Sequence, residues 1–263
     1  MAIVQRHDPD RFACLLFAPP AARETLATLY AFNHELARAR EVASQPPLAL
    51  IRLRWWQEVV EGANRAHPVA RAVSAALAAG RLNRDALDRM VEARMREADD
   101  IWDDATWFAY LRDTGGLLMR EAARVSTTQL PEALDLLALG AGVAAVGLLR
   151  NRAAHATQGR VTFPQGRDAA WVAAEARLLL GPARPWPEKL VAATLPVLLA
   201  RRWLTRLARN PAGLSSSEPP PAAERGPGLP RGTSRPAPAS AQSEWWRVTD
   251  RCALWVAARR RLF

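Results

Sequence analysis

The sequence predicts an all-α protein. Apolar residues recur at helical spacing through eight successive segments, and alternating strand patterns are nearly absent. Proline and glycine fall at the joins between segments.

The segments run Ala22–Val42, Leu48–Asn64, Val69–Ala79, Arg84–Ile101, Trp107–Val125, Glu132–Arg150, Ala169–Leu180 and Lys189–Arg209. Pro19-Pro20, Pro46-Pro47, Pro68, Gly80, Pro131 and Pro182 act as breakers between them. Asn83 and Thr106 are expected to cap the helices they precede, because their side-chain oxygens can accept an orphan backbone N–H. Arg160–Pro164, RVTFP, is the one short extended candidate. LLALGAGVAAVGLL, Leu136–Leu149, is too short to span a bilayer and reads as a buried central helix.

Composition then changes. Residues 1–209 form the helical core, and residues 210–243 are dominated by Pro, Ser, Ala and Gly. That linker has too little apolar surface to offset its ordering entropy, so disorder is expected there. Residues 244–263 place Trp245, Val248, Cys252, Trp255 and Val256 on one helical face, with Arg259–Arg261 near the end. Such a helix either docks back on the bundle, its arginines near its own C-terminus, or lies on an anionic membrane.

The 263 residues are 49% apolar and carry a net charge of +10, almost all from arginine, since Lys189 is the only lysine. A basic chain favours an anionic partner: a membrane surface, a diphosphate, a nucleic acid or an acidic protein. No nucleic-acid motif accompanies the charge, so nucleic acid is not expected as a partner. Cys14 and Cys252 stand far apart in apolar contexts, which suits a reducing compartment. MAIVQRHDPDR turns acidic before any long apolar run, so no signal peptide is expected. The expectation is a cytoplasmic protein, soluble or peripheral on the inner membrane.

Motifs for chemistry are sparse. DDIWDD sets Asp99 with Asp103 and Asp100 with Asp104 at helical i,i+4 spacing, a pattern that can bind Mg²⁺ and a diphosphate. A solvated helix end is the simpler reading, with Asp103 or Asp104 just ahead of the next N-terminus. His7, His34, His67 and His155 form no i,i+4 pair and no HExxH, which argues against zinc. Gly115-Gly116 lacks nucleotide-loop spacing and is expected to permit close helix packing.

Several segments, taken in order, resemble the squalene/phytoene synthase family. They are RFACLLFAPPAARETLATLYAF (Arg11–Phe32), RLRWWQEVVEG (Arg52–Gly62), HPVARAV (His67–Val73), WFAYLRDTGGLL (Trp107–Leu118) and LLRNRAAHATQGRVTFP (Leu148–Pro164). The resemblance implies the isoprenoid-synthase fold, with a central cavity whose two walls carry acidic metal-binding motifs. The first motif's positions fall on Ala37, Arg38 and Glu41, and the second motif's on Arg150, Asn151, Ala154 and His155. Only Glu41 keeps a carboxylate, and one carboxylate cannot hold a Mg²⁺–diphosphate cluster.

The implied reading is a pseudoenzyme without cofactor. The alternative is a divergent prenyltransferase that condenses isoprenoid diphosphates with Mg²⁺ held by acids from elsewhere. The stretch Ala31-Phe32-Asn33-His34-Glu35-Leu36-Ala37, and Leu149-Arg150 with His155, further resemble a non-catalytic branch of the family that assists respiratory complex I (NADH dehydrogenase) assembly. That branch implies complex I subunits or assembly intermediates as partners, with an isoprenoid or lipid as a cavity ligand. Asn33, Glu35, Arg38, Glu41, Arg150 and His155 are expected near the cavity mouth. There Glu41 with Arg38 or Arg150, and His155 with Asn151, can seal a metal-free interior.

Overall fold

The computed structural model describes residues 1–43, 45–98 and 102–209. The linker and terminal helix expected at 210–263 lie outside the described residues.

The described chain is helical: α1 (Ala2–His7), α2 (Pro9–Leu15), α3 (Pro20–Glu41), α4 (Pro46–Glu61), α5 (Pro68–Ala78) and α6 (Arg84–Met95) come first. They are followed by α7 (Asp104–Leu111), α8 (Leu117–Ser126), α9 (Leu136–Arg150), α10 (Arg152–Thr157), α11 (Ala169–Leu180) and α12 (Val191–Arg209). No strand forms among the described residues, and RVTFP is irregular. Its Thr162 carbonyl instead accepts the indole N–H of fully buried Trp107 at 3.1 Å. That bond satisfies a donor that would be costly to leave alone in the core.

Helix boundaries follow from local chemistry. Pro46 and Pro68 open their helices rather than merely interrupting the chain, because proline at the first turn needs no N–H partner. Asn83 caps α6 by accepting from the Ala86 N–H at 2.8 Å. Thr106 is not the cap of the next helix. Asp103 accepts the Thr106 N–H at 2.6 Å, which starts α7 at Asp104. Asp135 likewise caps α9 through the Ala138 N–H at 2.9 Å, so the helix expected from Glu132 begins at Leu136. The helix expected to reach Ile101 stops at Met95 and passes into a 3-10 turn, Arg96–Ala98.

Helix α9 is the centre of the packing and touches α7, α8, α10, α11 and α12. Its small residues allow this. A Cβ on Gly115 would lie 2.6 Å from Ala144 Cβ, and one on Gly140 would lie 2.7 Å from Gly116 Cα. Gly115 and Gly116 belong to a π turn, Arg112–Gly116, between α7 and α8. Glycine is required there because the backbones themselves are in contact. On the other side of the molecule α4 packs on α3, α5 and α6, and α3 joins the two halves through α5 and α8.

Candidate functional site

A cavity of about 440 Å³ opens between α3, α9, α12 and the N-terminal helices. From α3 it receives Asn33, His34, Ala37 and Glu41. These positions occupy one arc of a 3.6-residue helix, three and four residues apart. Opposite them stand Arg150 and Asn151 at the end of α9, with His155 from α10. Residues from both expected motif regions therefore face one cavity.

Other site residues lie elsewhere. Glu35 and Arg38, expected at the mouth, lie further round α3 and line a separate groove against α4. Ala154 is exposed and lines neither opening. Of the alternative metal set, Asp99 and Asp100 lie outside the described residues. Asp103 is engaged as a helix cap, and Asp104 accepts two N–H groups of Arg167 at 3.1 and 2.5 Å. These bonds hold both carboxyls below the ordinary range, led by the Thr106 backbone for Asp103 and by Arg167 for Asp104. Neither residue lines the cavity.

The expected pairing of Glu41 with Arg150 is replaced by one from the N-terminus. Arg150 Nη1 lies 3.4 Å from Asp10 Oδ2, and no ion pair to Glu41 forms among the described residues. Nearby, Arg11 donates to Asp8 at 2.6 Å, while Asp8 also caps α2 through the Arg11 N–H at 3.0 Å. Burial raises the Asp10 pKa, and the opposing charge of Arg150 offsets only part of that rise. His7 stacks on His34 with ring centroids 4.7 Å apart. Burial, then the neighbouring His7, lowers the His34 pKa.

A second charged group closes the far wall. Glu97 is 5% exposed and is bonded on both oxygens. Arg94 and the Tyr110 hydroxyl each donate to Oε1 at 2.7 Å, and Arg160 donates to Oε2 at 2.7 Å. Arg94 also donates to the Tyr110 oxygen at 3.0 Å. Burial alone would raise the Glu97 pKa, but the two guanidiniums and the Tyr110 hydroxyl more than offset it and leave it low. His155 lies beside this group, pushed down to about 4 by burial and then by the charge of Arg160. Its backbone N–H donates to the Asn151 carbonyl at 2.9 Å, and the Asn151 side-chain amide donates to Gly147 O at 3.0 Å.

This donor set does not fit a Mg²⁺–diphosphate cluster. Hard cations need several free carboxylate oxygens. Asp8, Asp10 and Glu97 are committed to arginines, which leaves Glu41. Among the described residues no group of three or more His, Cys, Asp or Glu side chains could hold a metal ion. His155 is a neutral imidazole, and the three donors on Glu97 do not include it. The cavity is large enough to admit a small ligand.

Sequence reasoning missed α1 and α2, and with them Asp8, Asp10 and Arg11. A signal existed: Asp8 followed by Pro9 is a helix start, cap before proline. It also missed Glu97 with Arg94 and Tyr110. Glu97 lies 63 residues from Arg160, and no local pattern marks such a group.

A sequence model of the squalene/phytoene synthase family matches residues 4–170. The NADH dehydrogenase (ubiquinone) complex I, assembly factor 6 of Homo sapiens is 29% identical over 104 residues, covering 38% of this chain and 31% of that protein. The Drosophila melanogaster homolog is 28% identical over 106 residues, covering 36% and 32%. The match thus spans about a third of the length of these curated relatives. The crystal structure of a dehydrosqualene synthase in complex with ligand superposes with a TM-score of 0.68. It covers 98% of this chain and 95% of that one at 13% identity, a likeness that shows the fold.

Proposed function

This chain belongs to the squalene/phytoene synthase family, and on that premise we propose that it is a non-catalytic member assisting assembly of respiratory complex I. The observation that carries the proposal is the state of the cavity's carboxylates. Ala37 and His155 stand at the expected motif positions, and the part-buried Asp8 and Asp10 and the buried carboxylate of Glu97 are paired with Arg11, Arg150, Arg94 and Arg160. Ionising an allylic diphosphate needs cations to neutralise the leaving group. A site that spends its acids on its own arginines cannot gather them.

The assembly role is supported by the curated relatives, whose names state it for them. In this reading the partners are complex I subunits or assembly intermediates, and the ion pairs hold a metal-free bundle in a fixed shape. No helix among the described residues is long and apolar enough to cross a membrane.

The test is a deletion strain of the source organism, with assembled NADH dehydrogenase measured on native gels and terpenoids by mass spectrometry. The expected result is deficient complex I with unchanged terpenoids, restored equally by the wild-type chain and by Glu41→Ala. Normal complex I with loss of a squalene- or phytoene-type product contradicts the proposal and supports the divergent prenyltransferase.

A further inference from the structure

Eight large hydrophobic side chains are exposed among the described residues, and four of them fall between positions 42 and 51: Val42, Leu48, Leu50 and Ile51. Scattered apolar residues need no explanation, but a cluster does. Helix α4 already has a core face, carried by Ala49, Leu53, Trp56 and Val60. Leu48, Ile51 and half-buried Trp55, at i, i+3 and i+7, form a second apolar stripe on its outer side. Ile51 is 66% exposed, the most open of the cluster.

The stripe has a cationic border. Arg52 and Arg54 flank it on α4, and Arg38 stands on the adjoining end of α3 and lines the groove. None of these three arginines makes an ion pair among the described residues, although Arg54 donates to the Gln57 amide oxygen at 2.6 Å. The nearby acids on α3 are Glu35, which lines the groove, and Glu41, which lines the cavity. Of the charged residues lining the groove, Arg38 and Arg52 stand against Glu35 alone, while Glu58 on the same outer face of α4 is paired with Arg65. Between α3 and α4 lies a groove of about 310 Å³ lined by Trp55, Trp56 and His67. The His67 ring meets both indoles edge-on at 5.9 and 5.3 Å, and its buried Nδ1 has no hydrogen-bond partner.

We propose that this α3–α4 corner docks on an anionic phospholipid bilayer. Leu48, Ile51 and Val42 enter the headgroup boundary, while Arg38, Arg52 and Arg54 meet phosphates around them. Protruding aliphatic side chains beside half-buried tryptophan and long cationic stems match an interfacial surface. The excess of guanidiniums supplies the charge complementarity. The surface lies on the α3 end that also forms the cavity wall, since Glu41 lines the cavity and Val42 the groove. It is separate from the terminal arginines and from the proposed assembly role.

Flotation of the full chain with vesicles of neutral phosphatidylcholine, or of phosphatidylcholine with 30% phosphatidylglycerol, tests this. The wild-type chain is expected to float with the anionic vesicles, and adding 0.5 M salt should release it. Leu48→Ser with Ile51→Ser, and separately Arg52→Glu, should each weaken binding at least tenfold with unchanged circular dichroism and melting. Either variant binding within twofold of wild type overturns the proposal. So does a wild-type chain that floats with neither vesicle, which would make the corner a protein contact instead.

Discussion

Arg160 Nη2 sits 2.7 Å from Glu97 Oε2, joining two segments 63 residues apart across the wall of the cavity. Both side chains are under a tenth exposed. A buried carboxylate between two guanidiniums is tolerable only because every partner is present. This group ties the turn after α6 to the segment that follows α10.

Removing the central charge exposes the cost. Glu97→Gln leaves Arg94 and Arg160 without their counterion and is expected to destabilise the fold by about 3 kcal/mol. Thermal unfolding should shift down by roughly 6–12 °C for a chain of this size. The low Glu97 pKa also fixes a sign: its contribution is present above the unfolded carboxylate value and is lost as pH falls through the folded one. Chemical denaturation from pH 6 to pH 3 should therefore show a drop for wild type that Glu97→Gln lacks.

His155 acts in a different pH window. Its folded pKa of about 4 lies below the ordinary imidazole value of 6.5, so the unfolded chain binds the proton first. Its stabilising contribution is full above about pH 6.5 and declines towards pH 4. With solvent screening of the partly exposed ring, the loss is roughly 1–2 kcal/mol. His155→Gln should flatten the wild-type stability curve between pH 4.5 and 7, leaving the steeper fall at lower pH to Glu97.

The glycine contact is a packing test. Gly140→Ala places a methyl 2.7 Å from Gly116 Cα, where neither backbone can yield cheaply. The expected cost is about 2–3 kcal/mol, read as a lower denaturation midpoint with an unchanged slope. Gly147→Ala is the control, since a Cβ there meets nothing within 4 Å. It should be neutral or slightly stabilising, because alanine favours the helix.

What the sequence revealed follows the range of each interaction. The order of the long helices, the central position of α9 and the packing role of Gly115-Gly116 were legible, since spacing and composition encode them within a few turns. Helix starts moved where an aspartate outcompeted the expected cap, as Asp103 did Thr106. The cavity partners of Arg150 and Arg160 were not legible, because Asp10 and Glu97 meet them only after the chain has folded. Glu35 and Arg38 were assigned to the mouth from proximity in sequence, whereas helical rotation carries them to the α4 groove.

Asp103 separates capping from metal binding. Asp103→Ala should lower the melting temperature by roughly 2–4 °C through loss of the α7 cap. That loss should be the same in EDTA and in 5 mM Mg²⁺. A Mg²⁺-dependent difference would instead assign this aspartate to a cation.

The most direct measurement mixes the purified full chain with farnesyl or geranylgeranyl diphosphate and Mg²⁺ and follows diphosphate release. A non-catalytic chain gives no release above the protein-free rate and no Mg²⁺-dependent heat of binding in calorimetry. Release that requires Mg²⁺ and disappears in Glu41→Ala would contradict the non-catalytic reading.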